Sequence, residues 1–338
     1  MNFLENYRLL SKNTFRIDVF AKYYYELNDT KSFYEMIKTE VYKNSEKLIL
    51  GGGSNLLFTR DFNGLVIKNN LSGIEVISET DTQIKVKIGA GENWHKFVMW
   101  AVNRNLGGVE NLSLIPGNVG ATPMQNIGAY GVEIKDVFDS LTALHMDTGE
   151  EINFNKKDCE FGYRESVFKR KFKNNFIINS VSLTLEKFPK FNVSYGNISQ
   201  ELEAKGVKEL SVKAISDAVI NIRKSKLPAP EEIGNAGSFF KNPEVGKQQY
   251  EKILKDFPNV VAYPLENGNV KLAAGWLIEN CGWKGLRDGD AGVHTKQALV
   301  LVNYGKATGK HIFELSTRIM QSVEEKFGVL LEREVNIY

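Results

Sequence analysis

Three glycine-rich segments in the first 131 residues constrain this chain more than any other feature. They are residues 51–55 (GGGSN), 89–93 (GAGEN) and the long run 116–131 (PGNVGATPMQNIGAYG). Because glycine has no side chain, backbone N–H groups in such turns approach an anion closely and can surround it. Each segment alone is also typical of an ordinary tight turn, but together they indicate a cradle for a diphosphate. Neutral hydrogen-bond donors stand in the same segments: Ser54, Asn55, Thr122 and Asn126.

Several other kinds of site are not indicated. No G-x-G-x-x-G follows a predicted strand and no G-x-x-x-x-G-K-[ST] occurs, so the common dinucleotide and P-loop motifs are missing. The four histidines show no metal-ligand spacing, and we expect no metal site. The two cysteines, Cys159 and Cys281, are far apart and form no C-x-x-C. We expect reduced, mostly buried thiols, with a disulfide or a catalytic thiol as the alternatives.

The length and charge of the chain fit a globular protein of more than one domain. Its 338 residues suit two or three domains. Lysine and arginine total 43 against 41 acidic residues, a net charge of +2, which gives no general reason to expect nucleic-acid or membrane binding. The N-terminus lacks the pattern of a signal peptide, and no stretch is long and apolar enough to span a bilayer. We therefore expect a cytoplasmic protein.

The hydrophobic periodicity predicts a mixture of strands and helices. Ile84, Val86 and Ile88 alternate with polar residues as in a half-buried strand. A helix follows, with Trp94 and later apolar residues on one face, and we expect it to end at Gly107-Gly108. Val181, Leu183 and Leu185 share one face of a later strand. Strands are also predicted over residues 259–263 and 298–303.

Two amphipathic helices are predicted in the second half of the chain. Ile215, Ala218, Val219 and Ile222 mark the first, which should end at the Pro-rich residues 227–230. The last helix carries its apolar face at Ile312, Leu315, Ile319 and Val323 and should stop at Gly328. Strands and helices do not alternate strictly, so the fold class is α+β rather than a doubly wound sheet. The Pro-rich residues 227–230 mark the best domain boundary.

Longer strings in the sequence resemble one enzyme family. The three glycine-rich segments resemble the FAD-binding region of the vanillyl-alcohol-oxidase-like flavoproteins. The run at 116–131, together with residues 161–164 (FGYR), 234–243 (GNAGSFFKNP) and 273–278 (AAGWLI), resembles the UDP-N-acetylenolpyruvoylglucosamine reductases of bacterial cell-wall synthesis. The resemblance extends from about residue 46 to the C-terminus. Four ordered motifs from separate parts of the chain make it specific.

The resemblance implies a fold of three parts. Residues 1–73, joined by the tail 335–338, would form a first FAD-binding subdomain. Residues 74–225 would form a second, so that the FAD-binding region is of the two-part vanillyl-alcohol-oxidase type. Residues 226–334 would form an α+β substrate-binding domain. A monomer is expected.

The resemblance also implies the reaction, the NADPH-dependent reduction of UDP-N-acetylglucosamine enolpyruvate to UDP-N-acetylmuramate. Hydride would pass from NADPH through non-covalent FAD to the enolpyruvyl double bond, and an enolate-like intermediate would form. Such an intermediate needs a cation near its carboxylate and a proton donor for its carbon. By resemblance, Arg164 and Glu334 stabilise the enolate and Ser238 supplies the proton. Glu332, two residues before Glu334, is the alternative carboxylate.

Binding residues are implied by position within the same strings. Those implied for FAD are Gly51, Gly52, Gly53, Ser54, Asn55, Gly117, Asn118, Gly120, Ala121, Thr122, Gln125, Asn126, Gly128, Ala129 and Gly131. Those implied for the substrates are Tyr163, Tyr195, Lys226, Asn242, Tyr263, Lys284 and Gln297. Tyr195 resembles a tyrosine on a mobile loop that closes over the diphosphate, which indicates the loop-bearing subtype. Lys226 would also suit the NADPH phosphates.

One departure from the family and two alternative functions stay open. Many members carry arginine two residues after the catalytic glutamate, where this chain has Asn336. Another flavin enzyme on the same fold, such as a sugar or alcohol oxidase, would explain the glycine-rich turns but not residues 234–243. A non-catalytic flavin- or nucleotide-binding module is the second alternative, and it predicts that Ser238 is dispensable.

Overall fold

The computed structural model describes all residues from Met1 to Tyr338, and the chain folds into two compact units. Unit 1 contains Met1–Tyr7, Ala21–Gly52 and Asn63–Ser225. Unit 2 contains Arg8–Phe20, Gly53–Phe62 and Lys226–Tyr338. Neither unit is one continuous stretch of chain, because two short N-terminal segments belong to unit 2.

The chain forms nine α-helices and four short 3-10 helices. The α-helices are α1 (Thr30–Met36), α2 (Glu40–Asn44), α3 (Trp94–Val102), α4 (Ile134–Val137), α5 (Ile198–Ala204), α6 (Val212–Lys226), α7 (Lys247–Asp256), α8 (Ala274–Asn280) and α9 (Gly309–Phe327). The 3-10 helices span Leu10–Lys12, Glu110–Leu112, Val119–Ala121 and Val167–Lys169. None of these helices combines the length and the hydrophobicity that crossing a bilayer requires.

Twenty strands accompany the helices. In the first half of the chain they are β1 (Leu4–Arg8), β2 (Phe20–Leu27), β3 (Lys47–Leu50), β4 (Leu56–Leu57), β5 (Phe62–Asn69), β6 (Ile74–Glu79), β7 (Gln83–Gly89), β8 (Gly128–Ala129), β9 (Val132–Glu133), β10 (Phe138–His145) and β11 (Glu151–Asn155). The others are β12 (Phe176–Glu186), β13 (Gly234–Ser238), β14 (Glu244–Val245), β15 (Ala262–Pro264), β16 (Val270–Leu272), β17 (Arg287–Asp288), β18 (Ala291–Val293), β19 (Val300–Asn303) and β20 (Asn336–Ile337).

Unit 1 is built around an antiparallel sheet with the strand order β11-β10-β12-β7-β6. Leu141, Val181 and Ile88 lie directly opposite one another on three neighbouring strands, and each is at most 1% exposed. Helix α3 adds Phe97 and Val98 to the same apolar core. A second sheet, β1-β2-β5-β3, contains a parallel pair in which Leu48 lies opposite Val66.

Unit 2 combines a four-stranded sheet, β13-β19-β18-β17, with the long helix α9. Two N-terminal segments complete it. The amide of Asn303 donates to the carbonyl of Phe15 at 2.9 Å, and β20 pairs in parallel with β4. A Cβ added to Gly309 would lie 1.6 Å from the carbonyl oxygen of Phe58, so α9 begins directly against the backbone of the second segment.

Most of the predicted elements are confirmed, and their ends follow from local chemistry. Val181, Leu183 and Leu185 are fully buried on β12, as their alternation predicts. Helix α9 stops at Gly328, which has a φ of 64°. The predicted end of α3 at Gly107-Gly108 is wrong, because the helix ends at Val102. Asn105 makes the turn with a φ of 55°, a conformation that asparagine tolerates.

Two strands in the last third are shorter than predicted. The strand expected over residues 259–263 is observed at Ala262–Pro264, and the one expected over 298–303 begins only at Val300. The helix marked by Ile215 and Ile222 spans Val212–Lys226 and ends directly before Leu227 and Pro228, as expected. Helices and strands do not alternate strictly along the chain, which confirms the α+β class.

Candidate active site

The glycine-rich turns of unit 1 lie against one another. A Cβ added to Gly52 would be 2.8 Å from the Cα of Gly117, closer than real Cβ atoms come, so only glycine allows this approach. The N–H of Gly120 donates to the carbonyl of Ala90 at 2.9 Å, which joins the third turn to the second. Three segments separated in sequence therefore form one backbone-lined surface.

The polar side chains of the third turn are largely used to hold the turn itself. Asn126 is fully buried, and its Nδ2 donates to Oε2 of Glu133 and to the carbonyl of Gly162, both at 2.9 Å. The hydroxyl of Thr122 donates to the carbonyl of Val119 at 2.8 Å. Their donor hydrogens are thus directed at protein groups. Binding of a ligand in this turn is left mainly to the backbone.

The end of the first glycine-rich segment belongs to unit 2. Gly53 is buried, and its carbonyl accepts from the N–H of Thr14 at 3.0 Å. Asn55 donates from Nδ2 to the carbonyl of Glu334 at 3.4 Å, and Asn336 donates from Nδ2 to the carbonyl of Asn55 at 2.9 Å. Asn336 therefore ties the C-terminal strand to the first glycine-rich segment.

Arg164 in unit 1 is held in a strained turn. Its φ of 53° lies in the left-handed region that non-glycine residues seldom adopt, and such strain is often concentrated at functional sites. The guanidinium donates to the carbonyl of Gly128 and, at 3.4 Å, to that of Asn126. A Cβ on Gly128 would lie 2.9 Å from Nη1 of Arg164, so the glycine makes room for the arginine.

Unit 2 brings Ser238 and Glu334 together on neighbouring extended segments. Ser238 ends β13 and lies opposite Val300, after an irregularity at which Gly237 has a φ of 70°. One residue further on, the carbonyl of Phe239 accepts from the N–H of Glu334 at 2.8 Å. Ser238 is exposed and Glu334 is half-buried. The backbone segments that carry the predicted proton donor and the predicted catalytic carboxylate are thus paired.

Glu332, the alternative carboxylate, has another partner. It forms an ion pair with Lys241, and its side chain is 71% exposed. Residues two apart in an extended strand point to the same face, so strand alternation does not distinguish Glu332 from Glu334. The carboxylate of Glu332 is paired with Lys241 at an exposed position, and the choice of Glu334 over Glu332 stays a prediction.

The residues predicted for substrate binding differ in how far the protein already engages them. In unit 1, Tyr163 and Tyr195 are 40% and 51% exposed. In unit 2, Lys226 and Tyr263 are exposed, and Lys284 pairs with Glu279 at 2.8 Å.

Two predicted substrate residues are half-buried in unit 2. Oδ1 of Asn242 accepts from the N–H of Ala274 at 3.0 Å, where it caps the start of α8. Oε1 of Gln297 accepts from the N–H of Leu299 at 3.3 Å. The side-chain amide of each keeps its donor hydrogens directed away from these contacts, so either residue can still donate to a ligand.

Sequence reasoning missed Arg223 on α6. Its Nε is fully enclosed without a hydrogen-bond partner, and burial lowers the pKa of its guanidinium. Its charge acts on Tyr130 of the third turn and on His95, which follows the second. The sequence does contain a sign of it: Arg223 lies four residues after Val219, so a charged residue falls on the apolar face of the helix. A cation enclosed there without a carboxylate suits an anionic ligand.

A second missed residue is His294 in unit 2. Its backbone N–H donates to the backbone carbonyl of Val300 at 2.9 Å. Ser238 pairs with Val300 from the other side, so His294 and Ser238 flank β19. The Nδ1 atom is enclosed without a partner, and burial, followed by the charge of Lys296, lowers the pKa of the imidazole. Burial therefore favours the neutral form of the ring.

The remaining candidate groups show no chemistry of their own. Both cysteines are free thiols, and burial raises the pKa of Cys159 to about 12. No three side chains of histidine, cysteine, aspartate or glutamate form a group that could hold a metal ion.

Comparison with known proteins decides the family. Residues 229–338 match the family model for the UDP-N-acetylenolpyruvoylglucosamine reductase C-terminal domain, and residues 23–155 match that for an FAD binding domain. The UDP-N-acetylenolpyruvoylglucosamine reductase of Flavobacterium johnsoniae is 50% identical over 338 residues, all of both chains. The chain belongs to the UDP-N-acetylenolpyruvoylglucosamine reductase family. The Pseudomonas putida member is also 50% identical, over 99% of this chain and 98% of its own.

A solved structure supports the fold of this reductase family for the whole chain. The UDP-N-acetylenolpyruvylglucosamine reductase of Thermus caldophilus matches with a TM-score of 0.69 and 22% identity, over 100% of this chain and 98% of that one. The resemblance drawn from the motifs is thus confirmed, as is the combination of an FAD-binding region with a C-terminal α+β domain. The chain is an oxidoreductase of this family.

FAD is the cofactor that the family models indicate, and the residues present fit it. Its diphosphate needs N–H donors and positive charge. The packed glycine-rich turns supply backbone, and Arg223 supplies a cation whose Nε is enclosed without a partner.

Proposed function

We propose that this protein reduces UDP-N-acetylglucosamine enolpyruvate to UDP-N-acetylmuramate with NADPH, a step in the synthesis of peptidoglycan precursors. The observation that carries this proposal is the placement of Ser238 and Glu334 on paired segments of unit 2. A sugar or alcohol oxidase forms no carbanion and has no need of a serine proton donor on such a segment. The identity to named reductases over the whole chain supports the same reaction.

FAD, when bound, supplies the redox chemistry by taking hydride from NADPH and giving it to the enolpyruvyl double bond. The glycine-rich turns with Ser54, Asn55 and Gln125 would hold it, and Arg223 would face its negative charge. NADPH and the enol ether would enter the same cleft in turn, with Lys226 near the phosphates. This order predicts ping-pong kinetics, with parallel lines in double-reciprocal plots.

The side chains of the protein would control charge and protons. The guanidinium of Arg164 can donate two hydrogen bonds to the substrate carboxylate as the enolate forms. Glu334, as the protonated acid, would donate a hydrogen bond to the enolate. Ser238 would give its hydroxyl proton to the carbon next to the carboxylate, which completes the reduced lactyl ether. A serine hydroxyl is a weak acid in water, so Ser238 needs a site from which the bound substrate excludes solvent.

We further propose the three-part domain division for this function. Residues 1–73 with 335–338 and residues 74–225 would bind FAD, and residues 226–334 would bind the sugar nucleotide. Asn242, Tyr263, Lys284 and Gln297 would contact it there, and Tyr163 and Tyr195 are two further proposed substrate contacts.

Anaerobic stopped-flow absorbance tests the reaction directly. The purified protein is reduced with NADPH, UDP-N-acetylglucosamine enolpyruvate is added, and the flavin band is followed. Fast bleaching and fast recovery are expected. Fast recovery in air without the enol ether would instead favour an oxidase. A colourless protein that FAD cannot reconstitute would overturn the proposal.

Substitution of Ser238 tests the role of the proton donor. Ser238→Ala should bind FAD and be reduced by NADPH as the wild type is. Recovery with the enol ether should slow by several orders of magnitude, because the carbanion is left without a proton donor. Ser78→Ala, at an exposed position on β6, is the control and should change neither step. An equal loss in both steps would contradict the assigned role.

A further inference from the structure

The side chain of Asn111 joins two distant parts of unit 1. It lies in the 3-10 helix Glu110–Leu112 and is 1% exposed. Its Nδ2 donates to the carbonyl of Tyr130 at 3.0 Å and to the carbonyl of Asn192 at 2.8 Å. Its Oδ1 is enclosed without a hydrogen-bond partner. An unpaired buried acceptor destabilises the folded protein, so an amide is tolerated here only because both of its donor hydrogens are used.

A second amide makes the same connection in the opposite direction. Nδ2 of Asn192 donates to the carbonyl of Gly131 at 3.1 Å, and Oδ1 of Asn192 accepts from the hydroxyl of Ser194 at 3.1 Å. A Cβ added to Gly131 would lie 2.9 Å from Nδ2 of Asn192 and 3.2 Å from Cβ of Tyr195. The segment that carries Tyr195 is therefore packed directly on the last residues of the third glycine-rich turn.

Apolar contacts fix the base of this segment and leave its tip exposed. Phe191 and Val193 pack against a buried cluster that includes Ile198, and Tyr130 packs on the same cluster. Residues 194–197 are exposed, with Tyr195 at their centre. The amide and apolar contacts hold the base, so only the tip is left to adjust to a ligand.

We propose that Asn111 and Asn192 form a latch that positions Tyr195 over a bound nucleotide diphosphate by tying its loop to the Tyr130-Gly131 turn. The inference rests on the proposed function, which gives Tyr195 a substrate to contact. The two asparagines act through Tyr195 and are positioning residues. The latch forms in the protein without substrate. The loop therefore loses less conformational entropy when the substrate binds, and binding is stronger.

The first test compares the two half-reactions of Asn192→Ala. Loss of the latch should raise the KM for UDP-N-acetylglucosamine enolpyruvate about tenfold, the change that 1.4 kcal/mol produces. The rate of flavin reduction by NADPH should stay as in the wild type. Asn197→Ala is the matched control, because the side chain of this exposed asparagine at the start of α5 makes no capping hydrogen bond and lies five residues further along. An unchanged KM for the enol ether would overturn the proposal.

The second test measures the loop without any substrate. The bond after Lys190 lies beside the latch, and Lys190 is exposed. Trypsin should cut there faster in Asn192→Ala and in Asn111→Ser than in the wild type or Asn197→Ala. A higher KM with unchanged cleavage would contradict a latch. If the wild type failed to react with the enol ether, the proposed function would fail, while the cleavage rates would still decide whether the latch exists.

Discussion

At the scale of single residues, the most unusual side chain outside the proposed chemistry is Glu110. It is 4% exposed, its Oε2 accepts from the N–H of Gly108 at 2.6 Å, and burial raises its pKa. The folded protein therefore holds this proton more tightly than the unfolded chain does. The stability it contributes is fully present below the unfolded pKa of about 4.3 and is lost as the pH rises through the folded pKa.

Glu110→Gln should remove this pH-dependent loss, because an amide oxygen can still accept from Gly108 and no charge has to be buried. We expect the variant to melt at a higher temperature than the wild type at pH 7.5 and at the same temperature at pH 4. Each unit by which the pKa is raised corresponds to about 1.4 kcal/mol. Thermal melts at both pH values measure the effect, with the exposed Glu75→Gln as control. A lower melting temperature for Glu110→Gln at pH 7.5 would contradict this account.

Some of the site residues could be predicted from the sequence and others could not. Gly52 and Gly128 were found because several glycines in one turn form a local signal, and their close contacts explain why glycine is needed. Asn111 was not found, since a single asparagine beside a glutamate is typical of a surface turn. Its role depends on Tyr130 and Asn192, which only folding brings within hydrogen-bond distance.

At the scale of elements, one arginine connects the strand segment of Glu334 to a helix. Arg333 donates from Nε to Ser316 at 2.8 Å and from Nη2 to Thr317 at 2.7 Å, and its guanidinium lies 4.4 Å from the ring centre of Phe313 on α9. Burial lowers the pKa of this guanidinium. Its backbone bridges to Phe240, so the contact with α9 fixes the segment of Glu334 against the segment that follows Ser238.

Arg333→Met should keep the packing on Phe313 and lose both hydrogen bonds. We expect a stability loss of about 1–2 kcal/mol from two neutral-acceptor bonds. Recovery of the reduced flavin with the enol ether should slow more than reduction by NADPH does, since only the former uses Glu334. Stopped-flow absorbance and denaturant titration measure the two effects. The control is Arg318→Met on α9, which removes an exposed ion pair with Asp288 of β17. Equal slowing of both steps would argue against a positioning role.

Element prediction succeeded where one face of an element repeats regularly. The apolar residues of α9 recur at helical spacing and the helix was found to its last residue, whereas α3 was extended past Val102 because Gly107-Gly108 is a stronger signal than Asn105. Short strands such as Ala262–Pro264 depend on pairing with distant partners, here Val270–Leu272, and local patterns do not define their ends.

At the scale of the whole molecule, the organisation of unit 2 could not be predicted from local patterns. A Pro-rich boundary at 227–230 suggests a continuous C-terminal domain, and the two units do divide between Ser225 and Lys226. Unit 2 nevertheless includes Arg8–Phe20 and Gly53–Phe62. Each makes contacts that no periodicity reveals, such as the N–H of Asn235 with the carbonyl of Thr14 at 3.0 Å.

This organisation predicts that residues 226–338 do not fold alone. The fragment would lose the partner of β20 and the ring of Phe15, which packs on Phe239 at 6.1 Å. It would also expose the start of α9 and leave the amide of Asn303 without its acceptor on Phe15. We expect no cooperative thermal transition by circular dichroism, whereas the full chain should show one. A cooperative transition in the fragment would show that unit 2 does not need the two N-terminal segments in order to fold. The segments of Glu334 and Ser238 would then be held together by C-terminal residues alone.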